Sequence, residues 1–480
     1  MLGIKSTHLF SDIASFFEEN DSSSASITMM RMLKSFYLPP EVTGLEDHPN
    51  SKYKHLQLLL LLILFPCFGI RNVHRYGKSS LYGLEHMKKD VFYRFLKNGG
   101  ISWRKVMYCF SRQMLHKIES RSDSRKSKDP VCLIVDDTDF KKAGKSAELL
   151  GFVYSHALQQ LVLGFKGLFL LRTDGKTQTV LDYSLHGERG KNADRPYGMT
   201  RKERKRQYFK TRTDKERCVQ ERISEYDTSK ISNTLKMVGR ATLGKIKYDY
   251  LLADSWFACT EIIRYFKNPN RPSNYLGMAK MGNTRYEYEG CRLTLKEIIR
   301  RRTFRGGRRW SGATSLYHTE CAVKLDGMEI RVFFFRKSKR SKWVPLITTD
   351  MKINYLQALK IYSMRWSIEV FFKEAKGLLG LGKAQMRDFA SQIAMTAIVA
   401  LQYNILSLAK RFTDYETIGG LFEDITKDTV KLSVTDRIWN TIIKVVSRIA
   451  IWFDLEYKTV MDKLMETSVG IGRNPYTSPT

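Results

Sequence analysis

The chain reads as an α/β protein: a mixed sheet carrying helices, interrupted by a β-rich insertion and flanked by helical regions at both ends. Three observations lead there. Short β-branched runs begin abruptly near residue 131, after a helical texture that ends near residue 125. Strand and helix patterns then alternate as far as Ala279 in the order β-β-β-α-β-α-β, which suits a mixed sheet with helices on its faces. Beyond residue 350 the helical period returns and holds to Met465. At 480 residues the chain exceeds one compact core and predicts about two to four domains.

Residues 1–125 form the N-terminal helical region, broken at Ser22-Ser23-Ser24, Pro39-Pro40 and Pro49. The apolar run Leu58–Ile70 is too short to span a bilayer and contains Pro66, which predicts a buried helix ending in a turn. In Ser102–Ile118, Trp103, Val106, Met107, Phe110 and Leu115 recur at helical spacing. Ser120–Asp129 is polar and predicts a linker. Residues 126–281 then supply the first part of the core. Val131–Val135 is a β-branched run bounded by charge, as in a buried strand. Leu161–Arg172 and Thr177–Tyr183 read as strands around the turn Asp174-Gly175. A basic stretch from His186 to Arg222 follows. A helix (Ser229–Arg240), a strand (Tyr248–Ala253), a helix (Cys259–Phe266) and a strand (Tyr275–Ala279) complete the order. Residues 282–349 form the β-rich insertion, with strands at Ala322–Leu325 and Ile330–Phe335 among basic runs. A long helix over 355–379 lies in the segment 350–380 that closes the core. Residues 381–480 are helical; Ile393–Ala409 and Ile438–Phe453 are apolar enough to supply a dimer interface, ordinary packing on the core being the commoner outcome.

Lys and Arg outnumber Asp and Glu by 81 to 49, a net charge of +32. A field of that sign draws in polyanions, and nucleic acid is the polyanion whose binding it serves best. Seven scattered cysteines without a C-x-x-C pair argue against a disulfide framework and a structural zinc site, and predict small buried side chains in a reducing compartment. The N-terminus lacks the basic and apolar regions of a secretory signal, and no membrane partner is expected.

Three carboxylates stand out by position. Asp136 follows the Val131–Val135 strand and Asp254 follows Tyr250–Ala253; carboxylates at the ends of neighbouring strands converge at one sheet edge, where α/β proteins place their sites. Glu369 lies on the long helix. Oxygen ligands of this kind suit Mg²⁺. Asp137 and Asp139 are rival ligands beside Asp136. The ordinary alternatives are a turn carboxylate at Asp136 and a helix N-cap at Asp254. On a wheel of about 100° per residue, Tyr362, Arg365, Trp366, Glu369, Lys373 and Lys376 share one arc, while Met364, Ile368, Phe371, Phe372, Ala375 and Leu379 occupy another. Aromatic rings among cations, with a single carboxylate, suit a surface meeting phosphates and bases. A solvated face with i,i+4 pairing has the same geometry.

Tyr362-x2-Arg365-x3-Glu369-x6-Lys376 resembles, spacing for spacing, the signature of bacterial insertion-sequence transposases of the DDE type, the cut-and-paste subgroup. Asp136-Asp137-Thr138 is similar to the D-x-T that opens their catalytic core, and Ala253-Asp254-Ser255 to their second acidic motif. The resemblance covers roughly residues 130–380. It implies a ribonuclease-H-like core in which Asp136, Asp254 and Glu369 are catalytic and hold two Mg²⁺ ions, with Mn²⁺ as substitute. It implies that Tyr362, Arg365 and Lys376 contact the DNA end; the helical wheel adds Lys373 and Trp366 to the same DNA-binding face. It further implies an N-terminal region that binds terminal repeats, double-stranded DNA as element end and target, a homodimer on DNA, and a cytoplasmic, nucleoid-associated setting. Some relatives stack a tryptophan of the insertion on a flipped base; Trp310 and Trp343 both qualify. The competing readings are a stand-alone nuclease on the same core, a DNA-binding regulator that has lost cleavage, and a basic nucleoid protein.

Overall fold

The computed structural model describes residues 9–452 save 48, 80, 83–85, 122–128 and 272, together with 456, 459 and 463. Most of the expected linker at 120–129, and Phe453, therefore lie outside the described residues.

One mixed sheet of twelve strands organises the chain. Its first strands are β1 (Cys132–Lys141), β2 (Gly151–Ser155), β3 (Gln160–Thr173), β4 (Gln178–His186), β5 (Tyr250–Ala253) and β6 (Asn274–Met278). Its later strands are β7 (Arg285–Tyr288), β8 (Cys291–Thr294), β9 (Arg309–Ser311), β10 (Leu316–Leu325), β11 (Met328–Arg336) and β12 (Val344–Thr348). The order is β2-β3-β1-β5-β6-β12-β11-β10-β7-β8, with β4 also on β3 and β9 on β10. Among the described residues, only β1/β5 and β5/β6 are parallel pairs. The segment 282–349 is β-rich, as expected, but it extends the same sheet: β12 pairs with β6. β2, a short strand within 130–160, escapes a sequence reading because Gly151 to Ser155 carries too weak an alternation. β1 also runs beyond the expected Val135, pairing with β3 as far as Lys141↔Gly164.

The turn between β3 and β4 is built by Asp174, whose Oδ1 accepts the backbone N–H groups of Lys176 (3.0 Å) and Thr177 (2.8 Å). Gly175 there has φ +85°, a conformation open to glycine at no steric cost. Arg411 holds the other oxygen of Asp174 at 2.9 Å.

The helix Phe389–Arg411 forms the centre of the helical layer. It is long and apolar enough to cross a membrane, yet 94% of its apolar window is buried inside the protein. Its polar residues serve β4: Asn404 bonds both the N–H (2.7 Å) and the C=O (2.9 Å) of Val180, and Ser407 accepts the N–H of Gln178. The buried edge of β4, which no strand among the described residues pairs, is thereby satisfied by side chains. Gln402 reaches the carbonyl of Leu62 at 2.8 Å, in the helix His55–Leu64, which ends in a turn before Pro66 as its sequence predicts. Ile393–Ala409 therefore packs within the molecule and is not a free dimer surface. In the final long helix, Ile418–Trp452, Val434, Ile438, Val445 and Ile451 do remain exposed.

Among the described residues no disulfide forms. Cys67, Cys132 and Cys321 are buried, Cys109, Cys218 and Cys259 are half-buried, and Cys291 is exposed.

Candidate active site

The parallel ladder between β1 and β5 ends at Val135↔Ala253. Asp136 and Asp254 are the next residues on each chain, so the two carboxylates leave the sheet side by side where the strands part. β5 stops there, whereas β1 continues. Asp136 is thus a mid-strand residue, not the strand-end carboxylate expected. Alternation along β1 then sorts its acids. Asp136 and Thr138 share one face; Asp137 and Asp139 take the other. Lys230 binds Asp137 at 2.6 Å and Lys166 lies 3.5 Å from it; against the effect of burial, these cations hold the Asp137 carboxyl below its ordinary range. Asp139 accepts from Ser155 Oγ at 3.0 Å. The rival ligands are therefore committed elsewhere.

The face bearing Asp136 is covered by residues 355–379. This segment is three pieces instead of one helix: Tyr355–Ser363, Trp366–Glu374 and a π-helical turn, Ala375–Leu379. Around Met364 and Arg365 the N–H groups bond three residues back, a tightening that no Pro or Gly announces. Phe371 and Phe372 pack edge-on against Phe169, the β3 partner of Asp136, and press the segment onto the sheet. Arg365 then bridges two carboxylates, contacting Glu369 one turn on and Asp136 Oδ2 at 3.2 Å. Lys376, carried inward by the π turn, donates to Thr138 Oγ1 at 2.6 Å. A π turn holds one residue more than an α turn and so rotates the side chains after it; such turns cluster at functional sites.

Burial drives the Asp136 carboxyl up to about 7, with the charges of Asp254 and Asp137 adding to the effect and the Asp137 N–H and Arg365 opposing it. Burial, with Asp254 and Asp136, also pushes the Tyr362 phenol up to about 12 despite Arg365. Tyr362 is therefore neutral and able to donate. Burial lowers the Lys376 ammonium from its ordinary value. Asp254 Oδ1 accepts the N–H of Trp256 at 2.9 Å; the next helix, Thr260–Phe266, is preceded by Cys259 and not capped by Asp254.

Asp136, Tyr362, Arg365, Glu369 and Lys376 thus gather on one side of β1, with Asp254 alongside. Trp366 (63% exposed) and Lys373 stay in solvent and touch none of these carboxylates. Among the described residues no three His, Cys, Asp or Glu side chains form a ready-made metal cluster; Asp136 and Glu369 are both engaged by the Arg365 guanidinium. The donors still suit a hard divalent ion: all are carboxylate oxygens, and Asp136 and Asp254 repel one another without a cation between them.

Sequence reading missed Lys230 and Trp256. The Lys230 ammonium lies 5.1 Å from the Trp256 ring, which is 44% exposed two residues beyond Asp254. A tryptophan directly after an acidic motif was the available signal. In the insertion, Trp310 is 53% exposed and packs edge-on against Tyr317, whereas Trp343 is half-buried beneath Arg336 at 4.4 Å.

No family model and no curated protein matches the chain. Among solved structures, the chain is similar to the piggyBac transposase synaptic complex with hairpin DNA, solved by cryo-EM. The TM-score is 0.45 at 10% identity, over 85% of this chain and 81% of that one. A likeness at that level carries no argument about chemistry, and the fold itself stands as an α/β arrangement of one large mixed sheet with helices.

Proposed function

We propose that this chain is a DNA transposase that cleaves and joins strands at the ends of a mobile element, with Asp136, Asp254 and Glu369 as its metal-binding carboxylates. The observation that carries the reading is the placement of Asp136 beside Asp254, with Arg365 joining Asp136 to Glu369 from within the Tyr362-Arg365-Glu369-Lys376 motif. Mg²⁺, or Mn²⁺ in its place, supplies charge neutralisation and a more acidic attacking oxygen for in-line displacement at phosphorus when two ions are bound. The protein's own share is positioning. Asp136 is fixed by strand pairing, Asp254 by its place directly after the paired β5 and by its bond to the Trp256 N–H, and Glu369 by the packing of Phe371 on Phe169. Arg365 and Lys376 offer guanidinium and ammonium to backbone phosphates, and the neutral Tyr362 phenol donates to a phosphate oxygen. The core is taken as ribonuclease-H-like, the partner as double-stranded DNA, and synapsis of two ends as the work of at least two copies. For stacking on an extruded base, the exposed Trp310 is better placed than Trp343.

A regulator that binds ends without cutting is favoured by one observation, the guanidinium of Arg365 already engaged by two of the three carboxylates. The two readings separate in a cleavage and joining assay with Mg²⁺ on DNA carrying the native element ends, wild type beside Glu369→Ala. Nicking and joined products that vanish in the variant support the transposase. Binding without cutting by the wild type, in Mg²⁺ and in Mn²⁺, sinks it. Cutting without joined products leaves a nuclease.

A further inference from the structure

Away from the carboxylates, a pocket of about 320 Å³ lies between the helix Trp103–Arg121, the end of β3 and the turn at 243–247. Arg112, His116, Arg172, Lys245 and Lys247 line it against a single carboxylate, Glu119. Arg172 is only 6% exposed. Its Nε reaches the carbonyl of Lys247 at 3.4 Å, and among the described residues it forms no ion pair. The arginines buried as deeply elsewhere are matched: Arg104 meets Asp182, Glu221 and Glu225, and Arg222 meets Asp182 and Glu225. A buried cation without a counter-ion is costly unless something supplies the charge. Burial accordingly pulls the Arg172 guanidinium below its ordinary value, with Asp174 and Glu119 acting against it from a distance. Lys245, at φ +57°, is the left-handed residue of the turn that closes the helix Lys230–Leu243, where its N–H bonds Thr242 and that of Ile246 bonds Ala241, a common helix end that sets the lysine at the pocket. Arg112, Lys245 and Lys247 are exposed, so a ligand reaching Arg172 passes them.

We propose that this pocket binds a phosphate group, with Arg172 at its base and Arg112, Lys245 and Lys247 around its mouth. Four cations facing one carboxylate exceed what a single carboxylate ligand would neutralise and suit a group carrying nearly two negative charges and several acceptor oxygens. The volume sits at the low end of ligand pockets, which run from about 300 to 1,000 Å³. It admits a phosphate with a small substituent, or one phosphate of a longer chain whose remainder lies outside. The site makes no use of Asp136, Asp254 or Glu369, so it stands whether or not the chain cuts DNA.

The test is titration of the full chain with inorganic phosphate at constant ionic strength, followed by calorimetry and by thermal melting, with chloride as the control anion. Wild type should bind phosphate and gain melting temperature over chloride. Arg112→Ala/Lys247→Ala, which alters only exposed side chains, should bind at least about tenfold more weakly, since each charge-assisted hydrogen bond is worth roughly that factor. Arg172→Gln should abolish binding if it folds. Equal phosphate response in wild type and the exposed double variant overturns the proposal, as does no response by wild type. A second arm adds a duplex of random sequence to the phosphate complex. Displacement that depends on Arg112 and Lys247 identifies a nucleic-acid backbone as the source of the phosphate; retention of phosphate identifies a small phosphate-bearing ligand. Either supports the site, and neither depends on the cleavage assay.

Discussion

Asp136 is a carboxylate that the fold keeps largely from water and sets beside two others. Its folded value, near 7 against an ordinary 3.8, fixes the sign of its effect. Protonation is favoured in the folded state, so its contribution is complete below the ordinary value and is lost as pH rises through 7. Asp136→Asn should therefore stabilise the protein at pH 8 by about 2–4 kcal/mol, with the advantage gone near pH 3; melts at the two pH values check it. Arg365 answers to the same charges. On the proposed reading its guanidinium occupies the place a divalent ion would take. Arg365→Gln should then bind Mn²⁺ several-fold more tightly in the absence of DNA, while binding DNA ends more weakly and with a shallower salt dependence. Titration calorimetry without DNA reads the first effect. Unchanged or weaker Mn²⁺ binding would show that Arg365 is no stand-in for the ion.

At the scale of the element, the segment 355–379 depends on the turn after it. Gly380 and Gly382 both stand at φ +75°, and a Cβ on Gly382 would come within 2.6 Å of the Phe140 ring of β1. Lys142, buried just after β1, donates to the carbonyls of Gly382 (3.0 Å) and Ala384 (2.5 Å) and to Gln392 Oε1 (2.8 Å). Burial takes its ammonium down to about 7. Gly382→Ala combines a strained backbone with a clash and should cost about 2–4 kcal/mol, measured by urea unfolding. A near-neutral result would mean that the turn shifts freely and does not fix Lys376 against Thr138.

Across the whole molecule, the N-terminal helices and the sheet are joined by buried charge. Asp182 on β4 is fully buried and meets Arg104 from the helix Trp103–Arg121 at 3.5 Å, Arg222 at 3.7 Å and Arg240 at 2.7 Å. Against burial, these cations hold its carboxyl below the ordinary range. The stability it supplies is present above the ordinary value and lost as pH falls through the depressed one. Asp182→Ala leaves three guanidinium groups short of a partner and should cost about 3–5 kcal/mol. Because the helix Phe389–Arg411 bonds to both Leu62 and Val180, calorimetry should show one transition for the N-terminal helices and the core. Two resolved transitions would refute that coupling.

Periodicity and composition alone determined the α/β class, the positive charge, the helices flanking the sheet, and a stripe of Tyr362, Arg365, Glu369 and Lys376. Those features are short-range: alternation and helical spacing act within a few residues, and the motif fits inside a few turns. Tertiary structure decided what those residues meet. The β1/β5 register sets Asp136 next to Asp254, and alternation along a longer β1 removes Asp137 and Asp139 from contention. A break at Met364, unmarked by Pro or Gly, and a π turn over Ala375–Leu379 bring Arg365 and Lys376 onto β1 and leave Trp366 and Lys373 in solvent. The apolar run at 393–409 could be read as packing on the core or as an interface until β4 offered its edge to Asn404. Each of these outcomes rests on contacts between segments far apart in the chain, which no local pattern encodes.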